Sequence, residues 1–396
     1  KYVKIVSIIL SVAVLTVSLS ACGNDDKGDG AGHLYDAPLL GNPQSLDPQF
    51  ANESSSNTVI KNLFSGLVMK DSVGNISCCN AESYTVSSDG LVYTFKLRKD
   101  NYWFFDENQN DYIDEDEYFQ VVADDYVFAL QRVIDPQMQS PYSTEFSCIK
   151  GAKEVIKGSA EPNSVAVTAK NDFTLEIVLD YPSAEFLGNL ATAAAFPCNK
   201  DFFYSTKGRY GLDDDSVMSN GAFYVRQWFY DPYGSHNILY MKRNQINVNE
   251  NYSVLPSYLS FTIEKTESDI RECFKNDEID CFTTLSSSYS SDKYSITSSQ
   301  AITLGLIFNP ENRYFQNLNL KKSLALSIDK EALNEKLNSD IQAAYGIVPP
   351  AACIAGRNYR ELSSDKQYSN YNITEAKKCY ETAKNELNIG SVESVK

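Results

Sequence analysis

The stretch Ser88-Asp89-Gly90-Leu91-Val92-Tyr93-Thr94-Phe95-Lys96-Leu97-Arg98 sets the terms on which the rest of the chain is read. Ser88-Asp89-Gly90 is turn chemistry, and LVYTFKL then alternates as a half-buried strand does. Phe173 to Leu179 (FTLEIVL) repeats that alternation after an Asn171-Asp172 turn. Between the two strands the period changes. Asp124 to Val133 (DDYVFALQRV) reads as a helix, with Asp124 as its cap and Val127, Leu130 and Ile134 on one face. Leu320 to Leu337 reads as a second helix, and Thr374 opens a third that runs through Glu375-Ala376-Lys377-Lys378 towards Leu387. Strands and helices interleave irregularly, which predicts an α/β or α+β chain with more than one lobe.

Composition narrows the function. The chain has 396 residues, enough for two or three domains, and its 43% apolar content is that of a globular protein. Its 52 acidic against 35 basic residues give a formal net charge of −17, with no basic stripe. Phosphate backbones need clustered Lys and Arg, so nucleic acid is not an expected partner. Only two histidines are present, His33 and His236, and neither sits in a GxSxG, HExxH or other catalytic motif. A secreted hydrolase therefore lacks a visible nucleophile–base pair. There is no internal repeat and no Gly-rich phosphate loop.

The N-terminus reads as a targeting segment. Lys1 and Lys4 are followed by uncharged residues from Ile5 to Ala21, a basic n-region and an apolar h-region. Leu19-Ser20-Ala21-Cys22-Gly23 resembles the lipobox of bacterial lipoproteins, which implies a diacylglyceryl group on the Cys22 thiol. Gly23 to His33 (GNDDKGDGAGH) has the composition of a flexible, solvated tether. The expected location is the cell envelope, lipid-anchored on the outer face of the cytoplasmic membrane, and periplasmic where an outer membrane exists. Eight further cysteines, Cys78, Cys79, Cys148, Cys198, Cys273, Cys281, Cys353 and Cys379, show no CxxC spacing. Disulfides and buried thiols are both open on this count.

Several short stretches carry a resemblance in order along the chain. They begin with Ser45-Leu46-Asp47-Pro48, Leu63-Phe64-Ser65-Gly66-Leu67, Ser88 to Arg98, and Trp103. Ala123-Asp124-Asp125-Tyr126-Val127-Phe128 through Arg132 follows, then Asp135-Pro136 and Ser140-Pro141-Tyr142. Ser219-Asn220-Gly221-Ala222-Phe223, Asn309, Leu324 to Asp329, Gly346 to Pro350 and Glu375-Ala376-Lys377-Lys378 complete the set. Together they resemble the family 5 extracellular solute-binding proteins, the oligopeptide- and dipeptide-binding lipoproteins of ABC importers.

The resemblance implies an α/β, two-lobed, periplasmic-binding-protein-like clamp with an extra subdomain inserted in lobe I. By its register, residues 1–21 are the signal peptide and 22–33 the tether. Lobe I takes 34–64 and 198–300, the inserted subdomain 65–197, and lobe II 301–396. Family members continue well past the Glu375–Leu387 helix, so the second lobe is expected to be truncated here. The continuation would hold the acidic residue on which the family's peptide binders anchor a ligand's amino terminus.

Carried over residue by residue, Asn52 and Ser54 fall in the segment that lines a bound peptide, main chain to main chain. Tyr142 matches a cleft-facing tyrosine. Asn220 and Gly221 would bring backbone close to the cleft, and Phe308 and Asn309 lie where the chain crosses to the second lobe. The implied protein is not an enzyme and requires no cofactor. It is expected to work as a monomer that captures peptides and passes them to ABC permease subunits. The same fold binding a sugar, opine or metal chelate is the alternative.

One stretch stands outside the resemblance. Asp106 to Glu117 reads DENQNDYIDEDE where relatives have a tight hairpin, and no basic residue occurs between Lys99 and Arg132. Seven carboxylates within twelve positions repel unless a cation or water screens them. Asp106, Asn108, Asn110, Asp114 and Glu117 match positions one, three, five, nine and twelve of an EF-hand calcium loop, with Tyr112 offering a carbonyl at seven. Asp111 replaces the usual Gly at six, and the N-terminal flank reads as strand rather than helix. A structural Ca²⁺ and a solvated acidic loop are both open.

Overall fold

Val92–Leu97 buries Tyr93, Phe95 and Leu97 on one face and leaves Lys96 exposed on the other. The preceding turn closes through Gly90 N–H donating to Ser87 O at 2.9 Å, and Gly90 takes φ +72°. That is a left-handed conformation in which a side chain would be strained. Thr174–Val178 likewise buries Leu175 and Ile177. These positions come from a computed structural model that describes residues 33–110, 113–234, 237–247, 254, 256–284, 294–296, 302–336, 342–354, 356–363 and 371–390.

The helices differ in detail from the sequence reading. The first expected helix runs Ala123–Ile134, and Asp125 closes its start in place of Asp124. Asp125 Oδ2 accepts the Val122 N–H at 2.9 Å, because the third helical position can reach back over the open end. Asp124 is left exposed, and Val127 lies at the margin of a buried face formed by Tyr126, Ala129, Leu130, Val133 and Ile134. The expected Leu320–Leu337 helix divides into Leu318–Ser327 and Lys330–Lys336. Ile328 turns extended (φ −89°, ψ 111°), and Asp329 Oδ1 caps the second piece by accepting Ala332 N–H at 3.1 Å. The last helix, Ile373–Leu387, is capped by Asn372, whose Oδ1 accepts Glu375 N–H at 3.0 Å.

The chain forms two compact units. The first takes residues up to Ser65, Leu97–Asp180 and Ala193–Phe282. The second takes Gly66–Lys96, Tyr181–Thr192 and the chain from Thr283. Residues 65–197, expected as one inserted subdomain, are thus shared between both. Long-range polar ties account for the share in the first unit. Arg132 binds Asp47, Asn101 Nδ2 donates to Asn220 O at 2.9 Å, and Gln49 Nε2 donates to Phe196 O at 2.9 Å.

The first unit is organised on a four-stranded sheet. Its order is Leu34–Leu40, Tyr258–Glu264, Ile238–Arg243, Phe223–Phe229. Leu34–Leu40 pairs in parallel with Tyr258–Glu264, Leu34 opposite Tyr258, and the other pairings are antiparallel. Leu259, Ser260, Phe261 and Ile263 of Tyr258–Glu264 are all buried, as a strand covered on both faces requires. Helix Ser54–Leu63 packs Val59, Ile60 and Leu63 inward and meets the Phe223–Phe229 strand. Helix Ala123–Ile134 lies on the Val167–Asn171/Thr174–Val178 hairpin.

In the second unit the Val68–Lys70/Ile76–Cys78 hairpin meets helix Phe186–Leu190, and Tyr93 packs edge-on against Phe186 with centroids 4.9 Å apart. Helices Leu318–Ser327 and Ile373–Leu387 pack on each other through Leu320, Ala376, Cys379 and Ala383. The Glu386 carboxylate accepts from Asn317 and Asn319 at 2.8 and 2.9 Å, which holds it below the usual carboxyl range.

Candidate functional site

The site is built from Ser45-Leu46-Asp47-Pro48, a buried segment fixed by one cation. Arg132 Nη2 donates to Asp47 Oδ2 at 2.5 Å, and Nη1 donates to Gln49 Oε1 at 2.6 Å and reaches Cys198 Sγ at 3.2 Å. The Phe203 ring lies over the guanidinium with its centroid 4.0 Å from Cζ. The side chains of Arg132 and Asp47 are only 4% and 9% exposed, so the pair is desolvated. Burial is the largest single influence and works against the guanidinium charge, yet Asp47, through charge and hydrogen bond, together with Cys198 and Tyr210 holds Arg132 above its ordinary pKa. Ser140 Oγ donates to Gln49 O and Tyr142 Oη to Ala51 O, both at 2.6 Å. The result is a backbone pinned from one side, with Phe50 (53% exposed) and Asn52 facing solvent on the other.

Helix Ser54–Leu63 grows directly from this segment. Glu53 caps it, its carboxylate accepting Ser56 N–H at 2.8 and 2.9 Å, and Ser54 is exposed at its first position. The far end is held by Ser219-Asn220-Gly221. Gly221 N–H and Ser219 Oγ–H both donate to Leu63 O at 2.7 Å, and Asn220 both accepts from Ser65 N–H and donates to Ser65 O. A Cβ on Gly221 would stand 2.6 Å from the Leu63 carbonyl carbon and oxygen. Close backbone approach is therefore what demands Gly here, and not an unusual φ.

The structure brings Asn52, Ser54 and Tyr142 together at one end of this helix. Asn220 and Gly221 stand at the other, and Asn220 is wholly buried. Ten residues at 1.5 Å rise set the two places about 15 Å apart. Phe308 and Asn309 belong to the second unit, where Phe308 packs on Phe315 at 4.8 Å and Asn309 Oδ1 accepts Glu311 N–H at 3.0 Å. Cys22 and Tyr112 lie outside the described residues.

Sequence reasoning placed Arg132 in the family register but gave it no role. The signal was available: an arginine on a helix face otherwise buried by Phe128, Ala129 and Val133 needs an acid, and Asp47 is the acid of the SLDP stretch.

Catalytic chemistry finds little support in this neighbourhood. Burial pushes the Cys198 thiol up to about 12, so it is held protonated and inert. Tyr210 is raised well above its ordinary value, again by burial. Cys78, Cys79, Cys148, Cys198, Cys273, Cys281, Cys353 and Cys379 are all free thiols. Among the described residues no three His, Cys, Asp or Glu side chains are gathered as a ready-made metal set.

The profile of the bacterial extracellular solute-binding proteins, family 5 Middle, matches residues 78–393, and the chain belongs to that family. It is 33% identical over 228 residues to the oligopeptide-binding protein AliB of Streptococcus pneumoniae, covering 57% of this chain and 33% of AliB. It is 26% identical over 363 residues to the oligopeptide-binding protein OppA of Bacillus subtilis, covering 87% and 63%. Its fold is similar to that of Listeria monocytogenes OppA bound to peptide, with a TM-score of 0.68 and 23% identity over 92% of this chain and 70% of that one. The chain thus spans about a third of AliB and under two thirds of Bacillus OppA. The mixed α/β, periplasmic-binding-protein fold expected from the sequence is the fold observed.

Proposed function

We propose that this chain belongs to the substrate-binding component of an ABC importer and that its ligand is a peptide, bound mainly through main-chain hydrogen bonds. The observation that carries the reading is the pinned segment. Arg132, Ser140 and Tyr142 satisfy Asp47, Gln49 and Ala51 from one side, which leaves the Phe50–Asn52 side free to meet a ligand. Pairing of extended backbones uses groups common to every peptide and so tolerates varied side chains. AliB and OppA are oligopeptide-binding proteins, which supports the same ligand class. Capture is followed by delivery to permease subunits, without turnover and without a required cofactor, by a monomer.

Lipidation of Cys22 would tether this body to the outer face of the cytoplasmic membrane. With an overall charge of −17 it is repelled by anionic lipid, so the acyl chains would supply the attachment. The test is a thermal-shift screen of the full chain in non-ionic detergent against peptide, sugar, opine and metal-chelate libraries. Stabilisation by peptides of varied sequence, with each peptide recovered intact by mass spectrometry, is the expected result. Stabilisation by a sugar and by no peptide would overturn the ligand assignment, and cleaved peptide would overturn the non-enzymatic one. In cells, Cys22→Ala should abolish membrane retention of processed protein; unchanged retention removes the lipid anchor.

A further inference from the structure

Charge is divided unevenly between the two units. The first, within its bounds given above, holds 36 acidic against 20 basic residues, a formal charge of −16. The second holds 16 against 15, a formal charge of −1. Nearly all of the chain's −17 therefore belongs to the unit that carries the pinned segment. Nearer the segment the bias is sharper still. Residues 33–65 and 97–149, which supply Asp47, Gln49, Arg132, Ser140 and Tyr142, hold 15 acidic against four basic residues. Arg132, the cation bonded to the segment, is already matched by Asp47.

Several of these carboxylates adjoin the segment along the chain or through its bonds. Glu53 follows Asn52, and its oxygens accept the Ser56 N–H at 2.8 and 2.9 Å. Asp135 ends helix Ala123–Ile134, with its Oδ1 accepting the Gln137 N–H at 2.9 Å. Glu145 is exposed in the short helix Ser143–Phe146, and its N–H donates to Tyr142 O at 3.0 Å. On the insertion between strands Tyr102–Phe104 and Tyr118–Gln120, Asn108 and Asn110 donate to Asp114 Oδ2 at 2.8 and 2.9 Å. Donors of this kind are neutral amides, which steady a carboxylate and leave its charge in place. Like charges on a low-dielectric body add to a field that reaches about 8 Å at 0.15 M salt and about 30 Å at 0.01 M. That field draws in a peptide bearing Lys or Arg and turns away one bearing Asp or Glu. Phe50, 53% exposed in the middle of the segment, also offers a ring face that an ammonium or guanidinium can cover. We propose that the site selects cationic peptides on encounter, through the negative field of the first unit. This inference rests on the peptide reading above and adds the ligand's charge to it.

The test is stopped-flow association of the full chain in non-ionic detergent, read by tryptophan fluorescence. Three pentapeptides of one length differ only in charge: Ala-Lys-Ala-Lys-Ala, Ala-Gln-Ala-Gln-Ala and Ala-Glu-Ala-Glu-Ala. At 10 mM salt the lysine peptide should associate about tenfold or more faster than the glutamine peptide, and the glutamate peptide slower than both. At 1 M salt, where screening acts within about 3 Å, the three on-rates should converge. Equal on-rates at 10 mM salt would overturn this inference alone and leave peptide binding standing, with the charge serving solubility. A lysine advantage undiminished at 1 M salt would overturn the field as its cause. Association of no peptide under any condition would overturn both this inference and the reading it rests on.

Discussion

Arg132→Met tests the physical basis of the binding segment. The substitution keeps the side chain's length but removes the charge facing Asp47, whose side chain is 9% exposed. Breaking a buried ion pair by deleting one partner costs about 3–5 kcal/mol, because the remaining charge stays in a low-dielectric pocket. Loss of the 2.6 Å bond to Gln49 Oε1 adds about 1 kcal/mol. We expect a loss of about 5 kcal/mol, a large part of the roughly 5–15 kcal/mol that domains possess. Both tryptophans of the chain, Trp103 and Trp228, lie in the first unit, so urea unfolding followed by tryptophan fluorescence reports on that unit. The double variant Asp47→Leu/Arg132→Met removes both charges. It should be more stable than either single variant, since an apolar pair of similar volume avoids the unpaired charge. A loss below about 1 kcal/mol for Arg132→Met, or a double-variant loss equal to the sum of the singles, would refute the desolvated-pair argument.

Two further expectations concern the same unit. Burial raises the Asp125 carboxyl from 3.8 to about 6, against hydrogen bonds from Trp103, Val122 and Asn199 that lower it. The folded state then holds a proton that the unfolded state releases, so this group's stabilisation is full below about pH 4 and is lost as pH rises through about 6. Asp125→Asn should remove a pH-dependent contribution on the order of 2–3 kcal/mol between those values, measured as the difference from wild type in urea midpoint at several pH values. An unchanged pH profile would exclude it. Gly221→Ala forces a methyl to within 2.6 Å of Leu63 backbone and should cost about 1–3 kcal/mol; a neutral effect in the same assay would show that the Leu63–Phe64 peptide yields.

The sequence displayed what is periodic and local. Tyr93-Phe95-Leu97 and Leu175-Ile177 alternate, and each buries those side chains on one strand face. The Ser87–Gly90 turn was visible in its residues. Caps are less legible, because Asp124 and Asp125 are adjacent and only the three-dimensional path shows which carboxylate reaches back. The break at Ile328 was hidden because Leu324 to Ser327 and Lys330 onward are both helix formers, and one extended residue leaves no compositional mark. For the site, the family register picked out Asn52, Ser54 and Tyr142 separately, and only the fold brings Tyr142 to the segment that carries the other two. The register did not show that Asn220 is a buried clamp on Ser65, since burial of an Asn depends on partners 155 positions away in sequence.

The parallel pairing of Leu34–Leu40 with Tyr258–Glu264 has a consequence in time. Leu34–Leu40 finds its neighbour only after more than two hundred further residues have emerged. At roughly 5–20 residues per second that is a wait of about 11–45 s. During it the sheet has no edge to close on, and loop-closure entropy holds the early chain open. For a chain proposed here to be exported, late closure is an advantage. The polypeptide can be threaded across a membrane while still extended, and its architecture locks only once the closing strand has arrived on the far side.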